Sequence, residues 1–240
     1  MKILAVECSA GPVSAAVSEN GVVLSSVYAN IRLTHSQTLL PMVTQALQNA
    51  RIDLKDIDCI AVAAGPGSFT GIRIGISAVK GLAMPGNIPC VPVSTLRAMA
   101  EPFKTVSCVV CAVMDARCNQ VYNALFEISG GAVSRLCEDR ALMCEELANE
   151  LKKYSGNPER PVIITGDGTS LFAPYAAGLE CVYPAAETVR FQSAAGVCLA
   201  AEEAANNGDT VTADGLLPVY LRLPQAEREL KRKETEGKKL

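Results

Sequence analysis

A single histidine, His35, stands in the 240-residue chain. No second imidazole exists to share a metal with it, and any Ser–His–Asp or Cys–His arrangement has to use this one ring. His35 lies just ahead of a helix-spaced apolar run, a position that reads as structural. Long apolar runs are also missing. The opening stretch KILAVECSAGPVSAAV is broken by Glu7 and Gly11 and is too short to span a bilayer. It lacks the basic region, long apolar core and cleavage site of a signal peptide, so the expectation is a cytoplasmic protein with no membrane contact. Nor is there an excess of positive charge: 22 Lys+Arg against 25 Asp+Glu leave a net charge of −3. Phosphate contacts dominate nucleic-acid affinity, so this chain is ill suited to hold RNA by itself, although a partner can bring it there.

Standard phosphate-binding motifs are absent as well. The stretch GPGSFTGIRIG at 65–75 follows the apolar run DCIAVAA and opens into a helical pattern. A P-loop needs G-x-x-x-x-G-K-[ST], and a dinucleotide loop needs G-x-G-x-x-G. Here Thr70 stands where either pattern wants glycine, and Gly71 comes one place late. What remains is a tight turn at Gly65-Pro66-Gly67 and a helix cap from Ser68 or Thr70. The helix that follows is apolar over most of its circumference, with Arg73, Ser77 and Lys80 as a narrow polar stripe. Gly71 and Gly75 lie four apart on one face. Each costs about 1 kcal/mol against alanine, which predicts an element approaching closely there.

Ten cysteines are present. In a cytosolic chain of this size they read as reduced and buried. Cys108-Val-Val-Cys111 has a metal-like spacing but lies in a strand pattern, where positions three apart face opposite ways.

Along the chain, KILAVECS reads as a strand and VSAAVSENGVVLSSVYAN as a hairpin turning at Asn20-Gly21. HSQTLLPMVTQALQNA is a helix over 36–50, with Pro41 in its first turn. Strands at DCIAVAA and CVPVS alternate with the glycine-led helix and the short TLRAMAEPF. The pattern then restarts with CVVCAVMDA, NQVYNALFEIS, AVSRLCE, the helix LMCEELANELKKY, the strand PVIITGDG and the helix SAAGVCLAAEEAANNG. Two α/β domains with a boundary near residue 104 follow from that repeated order. The tail QAERELKRKETEGKKL, with six basic and four acidic residues, reads as a solvated, frayed helix. Glu7, Asp115 and Asp167 end strands beside glycine or small residues, places where carboxylates can hold a magnesium–nucleotide in a cleft.

KILAVECSAGPVSAAV, HSQTLLPMV, AAGPGSFTGIRIGISAVKGLA, IPCVPVSTL, MDARCNQVY and PVYLR occur in that order. Together they resemble the bacterial TsaB (YeaZ) family, the non-catalytic subunit of the tRNA threonylcarbamoyladenosine machinery, over most of residues 1–222. The resemblance implies an actin-like, sugar-kinase-like (ASKHA) fold of two related α/β domains, 1–104 and 105–217, each a mixed sheet with helices, followed by a segment and charged tail at 218–240. In the related catalytic subunit, TsaD, a His-x-x-x-His pair after a strand like CVPV binds the metal. Those positions fall here on Thr95 and Met99, so neither a metal nor a catalytic residue is implied for this chain. ATP–magnesium and the metal are implied for the partner subunits. In the superfamily the first strand carries Asp and a small hydroxyl residue; here it carries Glu7, Cys8 and Ser9, and the longer Glu7 side chain speaks against a nucleotide in this chain's own cleft, for which Glu7, Ser9 and Asp115 are the candidate residues, so no cofactor is implied for this chain.

The implied role is a scaffold or activating subunit for a TsaD-type catalytic subunit and a TsaE-type ATPase. Through the complex it would meet tRNA, whose adenosine beside the anticodon is modified, and alone it would form a homodimer. The expected interface is Leu39, Val43 and Leu47 on the first helix with Gly71, Ile72, Gly75, Ile76 and Val79 on the second. Three alternatives stay open: a stand-alone kinase-like ATPase, a glycoprotease-like peptidase, and a self-associating structural protein.

Overall fold

A computed structural model of the protein describes residues 1–31 and 34–222. In the first half, β1 (Lys2–Glu7), β2 (Val13–Glu19) and β3 (Val22–Ala29) form an antiparallel meander. Then follow α1 (His35–Ala50), β4 (Cys59–Gly65), α2 (Phe69–Ala83), β5 (Cys90–Ser94) and the short α3 (Thr95–Ala100). The second half repeats the scheme with the meander β6 (Cys108–Arg117), β7 (Gln120–Ser129) and β8 (Ala132–Arg135). Next come β9 (Arg140–Met143), α4 (Cys144–Leu151), β10 (Val162–Thr165), α5 (Thr169–Ala176), β11 (Val182–Pro184), α6 (Glu187–Arg190) and α7 (Ala194–Asn206).

The first sheet runs β3-β2-β1-β4-β5 and the second β8-β7-β6-β10-β11, with β9 also pairing β7. β1 is antiparallel to β2 and parallel to β4, as β6 is antiparallel to β7 and parallel to β10. Both halves are therefore the same α/β unit. Even the hairpin turns correspond: Asn20-Gly21 and Gly130-Gly131 all adopt positive φ, as a tight two-residue turn requires.

The sheets divide near residue 104, but the helices do not. The first sheet is apolar on both faces. Helices α1 and α2 cover one, with Leu39, Val43, Ile72, Ile76 and Val79 in a core that also takes Leu216. The other face is covered by α7 from the second half, through Ala194, Val197, Cys198 and Ala201. In return α3 lays Leu96, Met99 and Ala100 on the second sheet. The halves thus exchange a helix, because each sheet has two faces to bury and its own helices cover too few.

Pro41 falls inside α1, beyond the first turn, because the helix already begins at His35. The carbonyl it leaves unbonded, on Gln37, is on the exposed side, where water serves it. The short elements β9, α5 and β11 carry too few residues for a periodic signal. All ten cysteines are free, and Cys108 and Cys111 point into different cores, on opposite sides of the second sheet. The charged tail from 223 onward lies outside the described residues.

Three glycines of α2 meet different surroundings. A Cβ on Gly71 would overlap the Cys8 carbonyl oxygen, one on Gly75 would stand 2.7 Å from Cys8 Sγ, and one on Gly81 would meet nothing within 4 Å. Gly75→Val and Gly71→Ala should each cost roughly 1–3 kcal/mol or more and lower Tm by several degrees. By contrast, Gly81→Ala should be neutral or stabilise by up to about 1 kcal/mol. Thermal unfolding of the three variants separates these outcomes.

Candidate functional site

The expected interface residues do not face outward. Leu39 and Val43 are 1% and 2% exposed, and Ile72, Ile76 and Val79 are as deeply buried in the same core. Leu47 is half-buried against it. Helical periodicity in α1 and α2 marks the faces that bind the sheet, so these side chains are spent mainly on the core, although Leu39 also lines the groove between the helices. Gly71 and Gly75 do serve a close approach, as their spacing predicts, but the approaching element is the end of β1 at Cys8 rather than another protein. A charge introduced at Val43 would accordingly test folding, not association.

What the two helices offer to solvent is a groove between them, a cavity of about 610 Å³. Leu40, 48% exposed, forms one wall. Phe69, Arg73 and Ile74 form the other, and the small Ser77 and Ala78 keep the floor shallow. The far wall is held by a residue distant in sequence. Tyr220 stacks on Phe69 with ring centroids 4.5 Å apart, and its hydroxyl accepts a hydrogen bond of 2.8 Å from Arg73 Nε. The Arg73 guanidinium lies 5.9 Å from the Phe69 ring centre and 5.6 Å from that of Tyr220. Sequence reading placed Tyr220 only within PVYLR and gave it no role. An aromatic in a short motif far from the helices was its only signal.

Two N–H groups of the glycine loop, on Ser68 and Gly71, are bonded within the protein. Ser68 caps α2, its hydroxyl accepting from Gly71 N–H, while Ser68 N–H donates to the Ser9 carbonyl at 2.6 Å. Gly67 lies so close over Ser9 that a Cβ would overlap its carbonyl. Ser9 N–H in turn donates to Glu7 Oε1 at 2.5 Å. The loop is therefore a main-chain clasp between β4, α2 and the β1–β2 turn.

The strand-end carboxylates fall in duplicated positions. Glu7 ends β1, and Asp115 lies near the end of β6, where it accepts from Arg117 N–H at 2.6 Å. Each thus holds the N–H two residues on. Their surroundings differ: Asp115 is exposed and Glu7 fully buried, with its Oε2 and the neighbouring Ser9 Oγ left without a hydrogen-bond partner. Burial pushes the Glu7 carboxyl up to about 7, against the pull of the Ser9 hydrogen bonding, and Asp167 adds to the rise. Asp167 accepts from Gln192 Nε2 at 2.7 Å and is itself raised, first by burial. Three carboxylates sit toward one junction, but among the described residues no three His, Cys, Asp or Glu side chains are placed to hold a metal. Thr95 is fully buried and Met99 packs in the second core. His35 Nε2 donates to the Gly11 carbonyl at 3.2 Å, an anchoring contact for the start of α1. No helix among the described residues is long and apolar enough to cross a membrane.

Comparison with known proteins places this geometry. Residues 23–229 match the family described as TsaD, tRNA N6-adenosine threonylcarbamoyltransferase. The Escherichia coli (strain K12) tRNA threonylcarbamoyladenosine biosynthesis protein TsaB is 32% identical over 98% of this chain and 100% of its own length. The Bacillus subtilis (strain 168) protein of the same name is 31% identical over 71% of this chain and 73% of its own. Among solved structures, YeaZ from Pseudomonas aeruginosa superposes with a TM-score of 0.77 at 30% identity, covering 92% of this chain and 99% of that one. With the duplicated sheets, the clasped glycine loop and full-length likeness in agreement, the chain belongs to the TsaB (YeaZ) family.

Proposed function

We propose that this protein takes part in tRNA threonylcarbamoyladenosine biosynthesis as a non-catalytic scaffold. It docks a TsaD-type catalytic subunit on the groove between α1 and α2 and associates with a TsaE-type ATPase in the same cytoplasmic assembly. tRNA is met only through the complex. The carrying observation is the groove: an apolar trough of about 610 Å³ on two helices whose stripes are already buried inward. Helix-lined apolar grooves of this kind receive partner helices. The names of its relatives supply the pathway. Without its partner, the same face would pair with a second copy.

The stand-alone ATPase reading draws support only from the strand-end carboxylates. Against it, the Ser68 N–H of the loop is bonded to the Ser9 carbonyl and the Ser9 N–H to Glu7. The peptidase reading needs a base beside a nucleophile, and the one histidine binds the Gly11 carbonyl.

The lone protein should therefore produce no modified tRNA, and adding both partner subunits should restore synthesis; activity from the lone chain would sink the proposal. Leu40→Glu should abolish capture of the catalytic subunit while leaving thermal unfolding nearly unchanged, because Leu40 is half in solvent.

Glu7 gives a separate check on the nucleotide reading. Its folded-state value of about 7 lies above the ordinary carboxylate value of 4.5. The folded protein then binds the extra proton, so this contribution to stability is full below pH 4.5 and lost as pH rises through 7. We expect a loss on the order of 2–3 kcal/mol across that window, absent in Glu7→Gln. Chemical denaturation at several pH values measures it. A magnesium–ATP complex that abolished the slope in the wild type would favour the ATPase reading instead.

A further inference from the structure

Arg73 is the one charged side chain among the described residues lining the groove. Arg73 is exposed on α2, and among the described residues no carboxylate pairs with it. Its Nε is committed to the Tyr220 hydroxyl, and its plane is steadied by the Phe69 and Tyr220 rings. A long side chain left alone beside an apolar trough samples many rotamers, and fixing it costs entropy. Here the segment 216–222 has already fixed it. Leu216 is sunk in the first core, Val219 N–H donates to the Ala64 carbonyl at 2.8 Å, and Arg222 donates to the Ala116 carbonyl. With Nε taken, the guanidinium still has its two terminal NH2 groups, the pair that grips a carboxylate.

The two helices themselves supply no such carboxylate. Neither His35–Ala50 nor Phe69–Ala83 contains Asp or Glu; their charged side chains are Arg73 and Lys80, and Lys80 reaches the Asp214 carbonyl. When the same face of a second copy covers the groove, apolar surface meets apolar surface but the guanidinium loses water without gaining an anion. Such a charge is costly to bury.

We propose that the groove is matched to a heterologous partner whose apolar helical surface carries a carboxylate opposite Arg73, and that Tyr220 is the positioning residue presenting the guanidinium to it. This rests on the docking role proposed above. It makes the second copy the weaker occupant and gives the handover from self-pairing to the catalytic subunit an electrostatic cause.

The test measures two dissociation constants for each variant of the full chain. One is with the TsaD-type subunit of the same organism; the other is for self-association, by sedimentation equilibrium. Arg73→Gln keeps the stem and removes the charge. It should weaken the heterologous complex roughly ten- to hundredfold and erase most of its salt dependence, while leaving self-association unchanged or tighter. Tyr220→Phe keeps the ring on Phe69 but frees Nε, and should give a smaller loss confined to the heterologous complex, with Tm unchanged. Equal weakening of both complexes by Arg73→Gln, or of neither, overturns the proposal. If the wild type forms no complex with that subunit, the docking role fails and this inference fails with it. If the wild-type complex is lost in Leu40→Glu yet untouched in Arg73→Gln, only the inference fails.

Discussion

The contact on which the rest depends is main chain against main chain, where the start of α2 rests on the end of β1. Gly67 lies over Ser9, Gly71 over the Cys8 carbonyl, and Gly75 beside Cys8 Sγ. Side chains at these positions would lift the helix off the sheet. Because they are absent, α2 enters low, Cys8 Sγ donates to the Gly71 carbonyl at 3.0 Å, and Ile72, Ile76 and Val79 drop fully into the core. Dense packing around Cys8 also pushes its thiol up to about 12, burial acting first and Glu7 second, so this cysteine is an inert filler. The same seating fixes where Phe69 and Arg73 emerge, and with them one wall of the groove.

A second constraint fastens the halves to each other. Gly196 of α7 lies so close beneath Ala98 of α3 that a Cβ would overlap its carbonyl. The two exchanged helices therefore touch where each crosses to the other sheet. The segment after α7 then returns along the first domain: Val211 pairs with Cys90 in both directions at 2.8 Å, and Leu216 closes the core under α1 and α2. It finishes with Leu221 against the second core. This segment, packed against both units, brings Tyr220 to the groove wall.

Much of this was legible in the sequence. The repeated order of elements, the Asn20-Gly21 turn, the opposed Cys108 and Cys111 and the helical spans of α1 and α2 follow from local pattern, and the fold keeps them. What escaped was direction. An apolar stripe such as Leu39, Val43 and Leu47 says that a face is buried, but not whether a sheet of the same chain or another protein buries it. For Gly71 and Gly75, spacing predicts a close neighbour without naming it, and the neighbour is Cys8, more than sixty residues earlier in the chain. The exchange of α3 and α7 has no sequence signal, since alanine-rich amphipathic helices fit either sheet. Tyr220 was invisible for the same reason: its partners Phe69 and Arg73 are joined to it only by the fold.

Duplication explains why Glu7 and Asp115 look alike in sequence and behave differently. Both hold the N–H two residues ahead, which suits a strand that must turn sharply. In the second half the β6–β7 turn is a tight loop of Arg117, Cys118 and Asn119, all at positive φ, standing in solvent. Its first-half counterpart is pressed under the β4–α2 loop, and Glu7 is sealed in with an unpartnered Oε2. A cleft that binds a phosphate keeps its loop donors free and its carboxylates charged. Here the Ser68 N–H is turned onto the Ser9 carbonyl, and burial pushes the Glu7 carboxyl up to about 7. The same low seating of α2 fixes where Phe69 and Arg73 stand across the groove from Leu40 of α1. One packing arrangement thus sets both the buried surroundings of Glu7 and the outer groove beside Phe69 and Arg73.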